Sequence, residues 1–113
     1  MLLDHRTYTV RPGTLHKQLA LYEKYGFAAQ KRHLGEPLAY LITETGDPNS
    51  FVHIWAYADA GDRARRREAM MADAEWRTYL EKAGEAGYVV KQKTKLMVPA
   101  SFAADLETFK RRK

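Results

Sequence analysis

The first quarter of the chain passes from a strand pattern to a helix pattern. Residues 3–10 alternate in polarity and are rich in Thr, Tyr and Val, which predicts a strand. Arg11-Pro12-Gly13 ends it, because proline lacks a donor and glycine accepts a positive φ. Thr14 is then a suitable N-cap for a helix. The helix has one apolar stripe, formed by Leu15, Leu19 and Tyr22.

The middle of the chain predicts a broken helix followed by a hairpin. Gly26 is expected to interrupt the helix, and a second helical piece is expected over residues 27–33 before Gly35 caps it. Residues 37–45 and 51–57 both have strand patterns, and the Gly-Asp-Pro-Asn sequence between them is a strong turn signal. The two strands are therefore expected to pair as a hairpin.

The last part of the chain predicts two helices and a final strand. Asp59 and Asp73 are each placed to cap a helix, and residues 88–98 form the last strand pattern, which Pro99 stops. The resulting order, β-α-β-β-α-β, predicts an α+β fold, a ferredoxin-like sandwich with a four-stranded antiparallel sheet. We expect the domain to span residues 1–99 and residues 100–113 to form a tail that is basic at its end.

One face of such a sheet carries the helices, and the other face needs a cover. A sheet this rich in aromatic residues is a natural dimer surface, so a homodimer is expected. Either face of the third strand can take either role. Val52, Ile54 and Ala56 are small and aliphatic, so our first assignment packs them under the helices and leaves the aromatic side to line a cavity or an interface.

Composition narrows the functional classes. The 113 residues contain no cysteine, which excludes disulfides and thiol nucleophiles and fits a reducing compartment, so a cytoplasmic protein is expected. No stretch resembles a secretory signal or a membrane span. The net charge is +5, but the last four residues are all basic, and without them it is +1. We therefore expect no nucleic-acid partner; the tail is a solvated terminus or a weak contact for an anionic partner.

The third strand holds the strongest candidate residues. Phe51, His53, Trp55 and Tyr57 share one face by alternation. His53 has an ordinary pKa near neutrality and is therefore a candidate general acid or base. Three interpretations stay open: these side chains are core residues with satisfied N–H groups, they contact a ligand, or they catalyse a reaction.

A second group of candidates lies on the neighbouring strands. Arg6 and Tyr8 share a face of the first strand with Asp4, and Tyr40 shares a face of the second strand with Glu44. Arg6 is expected either to pair with Glu44 or to bind an anionic ligand. The complete set of candidate ligand-binding residues is Arg6, Tyr8, Tyr40, Glu44, His53, Trp55 and Tyr57.

Two basic runs have simpler explanations. Lys31, Arg32 and His33 precede Gly35, where positive charge favours a helix C-terminus, although phosphate binding is the alternative. Residues 63–67 contain four arginines on a predicted helix flanked by acidic residues, which is typical of a solvated face.

Several phrases of the sequence resemble the NIPSNAP family, which has the fold of the dimeric α/β-barrel superfamily. They are Arg6-Thr7-Tyr8-Thr9 with Pro12-Gly13-Thr14, Gln30-Lys31-Arg32-His33-Leu34-Gly35, Val52-His53-Ile54-Trp55-Ala56-Tyr57, Arg65-Arg66-Arg67 and Asp73-Ala74-Glu75-Trp76. The resemblance implies the fold and the dimer but no reaction. Related dimeric α/β barrels include cofactor-free monooxygenases and isomerase-like proteins, which is an analogy of fold.

No sequence motif identifies a reaction for this chain. The chain lacks GxGxxG, P-loop, GxSxG and HExxH sequences, and its four histidines lack metal-ligand spacing, so no cofactor and no metal are expected. The leading hypothesis is a homodimeric domain that binds a small molecule or a protein partner. The alternative is a cofactor-independent monooxygenase or isomerase that works in an aromatic cavity around His53, and the sequence leaves enzymatic activity undecided.

Overall fold

The computed structural model describes residues 1–103 and contains eight regular elements within them. The bounds are β1 Leu2–Val10, α1 Leu15–Tyr25, α2 Phe27–Leu34, β2 Ala39–Ile42, β3 Ser50–Tyr57, α3 Ala60–Ala72, α4 Ala74–Ala86 and β4 Val89–Met97. Each helical region of the predicted order is thus a pair of consecutive helices. Among these helices, none has the length and apolar character needed to cross a membrane. The basic end of the tail lies outside the described residues.

The four strands form one antiparallel sheet in the order β2-β3-β1-β4. In its register, Arg6 of β1 lies opposite His53 of β3 on one side and Thr94 of β4 on the other. Tyr40 of β2 lies opposite His53 on the far side of β3. The predicted α+β class with a four-stranded antiparallel sheet is confirmed, and the register brings candidates from three strands together.

The break between α1 and α2 lies at Gly26, as predicted. A Cβ atom at this position would lie 2.8 Å from Cγ of Tyr79, closer than carbon atoms normally approach. Tyr79 belongs to α4, which packs against α1. The glycine therefore ends one helix and also lets two helices approach closely.

The two predicted aspartate caps are confirmed. Asp59 accepts a hydrogen bond from the backbone N–H of Asp62, and Asp73 accepts one from Glu75. Thr14 occupies the N-cap position of α1, but its hydroxyl donates to the carbonyl of Arg11 and makes no capping bond. The predicted position of the cap is confirmed, but Thr14 does not make the side-chain hydrogen bond expected of an N-cap.

The helices pack on the aromatic face of the sheet, so our first assignment of the two faces was wrong. Trp55 and Tyr57 belong to the same buried cluster as Tyr22, Met70 and Trp76, which come from three different helices. On the opposite face, Val52, Ile54 and Ala56 are only partly buried. The large flat rings fill the space between the layers, whereas the small side chains form the open face.

Candidate functional site

A cavity of about 360 Å³ lies between the sheet and the helices. Its floor is formed by β1, β2 and β3, its walls by the helices, and Gln92 of β4 borders it. Residues 90–97 of β4 are all exposed, so the cavity reaches solvent on that side of the molecule. A space of this size is at the lower end of the range for small-molecule pockets, about 300–1,000 Å³.

A row of stacked rings forms the floor of the cavity. The ring centroid of His53 lies 5.0 Å from that of Tyr8 and 4.9 Å from that of Tyr40, with nearly parallel planes. This distance matches the spacing of neighbouring strands, so the ring faces cover one another. Their edges therefore point away from the sheet and toward the helices, and aromatic edges carry a positive partial charge.

His53 is held as a neutral donor. The indole N–H of Trp55 donates to its Nδ1 over 2.6 Å, and an indole can only donate. Nδ1 is therefore the acceptor, and the proton of the neutral ring sits on Nε2. Burial, reinforced by the nearby charge of Arg6, lowers the pKa of His53 to about 3. The Nε2–H group makes no hydrogen bond within residues 1–103, and His53 lines the cavity.

Arg6 is anchored by a buried carboxylate two residues earlier on the same face of β1. Its Nε and Nη2 donate to the two oxygens of Asp4 at 2.9 and 3.3 Å, and Arg63 of α3 donates to the same carboxylate at 3.0 Å. Asp4 is completely buried. Burial alone would raise the pKa of Asp4, but the bonds from Arg6 and Arg63 outweigh it and leave the pKa below its ordinary value.

Arg67 lines the cavity beside Arg6 and makes no hydrogen bond or ion pair with any side chain in residues 1–103. It is half-buried on α3, one turn after Arg63. Burial and then the positive charge of Arg6 lower the pKa of Arg67. A guanidinium group in this position keeps all its donors available to a ligand.

Polar side chains from α1 and α2 complete the walls. Gln18 donates through Nε2 to the hydroxyl of Tyr79 at 2.9 Å, but its own Oε1 is buried without a partner. Tyr22 donates its hydroxyl proton to Gln30 Oε1. Burial raises the pKa of Tyr22 and of Tyr40, so both hydroxyls stay protonated.

The cavity brings together four of the seven candidates predicted from the sequence: Arg6, Tyr8, Tyr40 and His53. Trp55 and Tyr57 are buried and do not line it. Trp55 affects the cavity only by donating a hydrogen bond to His53. The Tyr57 hydroxyl is buried without a partner in residues 1–103. Glu44 lies beyond the end of β2 and is exposed. The predicted pair between Arg6 and Glu44 was therefore wrong, because β2 ends at Ile42 and Asp4 is already in contact with Arg6.

The sequence missed several lining residues that carry polar groups, among them Arg67, Gln18 and Trp76. Arg63 and Arg67 are not part of a solvated face, as the pattern suggested, because α3 turns both toward the sheet. Spacing offered one signal: positions 63, 67 and 70 follow the i, i+4, i+7 pattern of a single helix face, and Met70 is buried. The same spacing places Gln18 on one helix face with Thr14 and Tyr22, each of which is four residues away.

The basic run at the end of α2 has a structural role in the described residues. Arg32 and His33 both contact the Asp73 carboxylate at 2.8 Å, and this aspartate caps α4. The bond to His33 is the main cause that lowers the pKa of Asp73 to about 2. Lys31 pairs with Glu36 beyond the helix end. Within residues 1–103, no three metal-ligating side chains cluster.

The NIPSNAP family model matches residues 3–104. A NipSnap homolog from Dictyostelium discoideum is 37% identical over 71 residues, which are 63% of this chain but 31% of that protein. A crystal structure of a NIPSNAP family protein of unknown function from Agrobacterium tumefaciens is 38% identical, covers 91% of both chains and superposes with a TM-score of 0.82.

A more distant likeness concerns the fold alone. An antibiotic biosynthesis monooxygenase is 22% identical over 88% of this chain and 99% of its own, with a TM-score of 0.60. The order of strands, the paired helices and the match along nearly the whole described chain all agree with the resemblance seen in the sequence. The chain belongs to the NIPSNAP family.

Proposed function

We propose that the chain is a small-molecule-binding domain whose ligand occupies the cavity between the sheet and the helices. The observation that carries this proposal is the set of polar groups left without partners around the cavity within residues 1–103. They are the guanidinium of Arg67, the Nε2–H of His53 and the buried Oε1 of Gln18. A buried polar group without a partner costs about 1–3 kcal/mol, and a bound ligand would recover that cost.

A cavity-filling variant tests this proposal directly. Ala83 lines the cavity from α4, and Ala83→Trp would place an indole inside it. Ala74→Trp is the matched control, because it makes the same change at an exposed position on the same helix. We expect a fragment screen by ligand-observed NMR to give binders of the wild type and of Ala74→Trp that are lost in Ala83→Trp. Binders that survive in Ala83→Trp, or no binders at all, would contradict the placement.

We also propose that two copies of the chain associate through the open face of the sheet. Val52, Ile54 and Ala56 on β3 and Leu41 on β2 give this face an apolar centre, and no element of residues 1–103 covers it. Leu41 is 52% exposed. Packing of a second sheet on this face would remove its exposed apolar area from water, which favours association. Light scattering at micromolar concentration is expected to give the mass of a dimer.

The enzyme hypothesis has no comparable observation to support it. A general base needs a free acceptor, whereas Nδ1 of His53 already accepts from Trp55 and Nε2 carries the proton. In this proposal His53 donates a hydrogen bond to the ligand through Nε2–H, which the bond from Trp55 to Nδ1 supports. Cytoplasmic location rests on the lack of cysteine alone, and fractionation with an antibody to the chain would test it.

A further inference from the structure

The cationic end of the cavity contains more positive charge than the protein compensates. Arg6 and Arg63 both contact the carboxylate of Asp4, Arg67 lines the cavity beside Arg6, and Asp4 is the only acidic side chain in residues 1–103 that contacts any of the three. Three guanidinium groups therefore face one carboxylate. Burying uncompensated charge is costly, because the protein interior screens repulsion less than water does.

The geometry directs this excess charge into the cavity. Asp4 binds Nε and Nη2 of Arg6 and Nε of Arg63, so Nη1 of Arg6 is not used by Asp4 and its guanidinium also interacts with Tyr8, whereas the whole guanidinium of Arg67 remains unbonded within residues 1–103. Arg6 and Arg67 both line the cavity, whereas Arg63 does not. Two adjacent guanidinium groups with free donors match the two oxygens of a carboxylate.

The remaining walls also present donors in preference to acceptors. His53 offers Nε2–H, and burial raises the pKa of Tyr40 and keeps its hydroxyl protonated, while the stacked rings turn their positive edges toward the cavity. Among the cavity-lining side chains of residues 1–103, the one buried acceptor without a partner is Oε1 of Gln18. An anion with an aromatic body suits such a lining.

We propose that the ligand is a planar organic acid whose carboxylate binds between Arg6 and Arg67 and whose ring lies against the edges of the Tyr8, His53 and Tyr40 rings. This inference rests on the proposed ligand-binding function and adds the chemical class. The volume of about 360 Å³ suits one or two fused rings. Large polyanions do not fit a space of this volume.

The test uses three probes with the full chain, two of which share a shape. They are 2-naphthoate, its neutral isostere 2-naphthamide, and inorganic phosphate as an anion without a ring. Binding is measured by calorimetry for the wild type, for Arg67→Met and for Arg65→Met. Arg65 lies two residues earlier on α3, is exposed and does not line the cavity, so the control loses the same charge.

We expect naphthoate to bind the wild type and the Arg65→Met control alike, and to bind Arg67→Met about tenfold or more weakly. Naphthamide should bind weakly and equally to all three. In the absence of ligand, Arg67→Met should unfold at a higher temperature than Arg65→Met, because it removes repulsion from Arg6. A purely structural Arg67 would give the opposite shift and would overturn the inference.

The other outcomes separate this inference from the function on which it rests. Equal binding of naphthamide and naphthoate would keep the cavity as a ligand site and overturn the acid. Phosphate binding as tight as that of naphthoate would overturn the planar ring. A gain of naphthoate binding in the full chain carrying Asp105→Asn and Glu107→Gln would mean that the tail supplies the anion, which also overturns the inference. No binding of any probe, with no fragment binders, would overturn both proposals.

Discussion

Asp4→Asn is the substitution that tests the charged layer beneath the cavity. The side chain is completely buried and accepts hydrogen bonds from Arg6 and Arg63, so the neutral amide leaves two guanidinium groups without a counter-charge. Removing one partner of a buried ion pair costs about 3–5 kcal/mol, since the charge that remains is still desolvated. A domain of this size has a free energy of unfolding of roughly 5–15 kcal/mol, so the loss is a large share of it.

Urea unfolding followed by tryptophan fluorescence measures this loss, at one fixed protein concentration because an associating chain unfolds at a concentration-dependent midpoint. Glu68→Gln on α3 is the control, since it removes a carboxylate from an exposed position. The control should change the free energy of unfolding by no more than about 0.5 kcal/mol. If Asp4→Asn lowers the free energy of unfolding no more than the control does, the buried carboxylate does not stabilise the two arginines.

Three further predictions concern packing, pH and association. Gly26→Ala should lower the free energy of unfolding by about 1–3 kcal/mol, because the new Cβ would lie 2.8 Å from the Tyr79 ring. Gly84→Ala is the control, since a Cβ there has nothing within 4 Å, and it should be neutral or stabilising. Equal urea midpoints for the two variants would refute the close approach of the helices. The folded-state pKa of His53 lies near 3, below its ordinary value of 6.5, so the unfolded chain binds a proton at a higher pH than the folded chain. The free energy of unfolding should therefore fall as the pH drops from 6.5 toward 3. Imidazole ¹⁵N chemical shifts of the folded protein that titrate near pH 6.5 would contradict this. Ile54→Asp on the open face should give a monomer by light scattering with the fold retained, and an unchanged mass would exclude this face as the interface.

The sequence predicted the sheet well because each strand carries a local signal. Alternation over residues 3–10 and 51–57, together with the turn before the third strand, determines the strands and the hairpin without any long-range information. Gly26 and the two aspartate caps are also local features, and they ended or began helices as expected.

The orientation of the sheet could not be predicted in the same way. Both faces of β3 are apolar, so alternation shows which residues share a face and says nothing about which face the helices cover. That choice depends on which face fills the space under four helices, and the large rings of Trp55 and Tyr57 fill it better than Val52 and Ile54.

Arg67 shows why the cavity itself was harder to predict than the fold. Arg63, Arg65, Arg66 and Arg67 look alike along the sequence, and only the rotation of α3 against the sheet separates the two that turn inward from the two that stay exposed. The pairing of Arg6 depended in the same way on where β2 ends. The side chain of Thr43 donates to the Ser50 carbonyl just after that end, and Glu44 lies beyond the strand as an exposed residue.

A crystal structure of the full chain with bound 2-naphthoate would show whether the acid occupies the cavity between Arg6 and Arg67. We expect the ring in the cavity beside His53, with the carboxylate about 2.7–2.9 Å from nitrogens of Arg67 and Arg6. Naphthoate bound elsewhere, with the Arg67 side chain turned out to solvent and the cavity filled by neighbouring side chains, would contradict it.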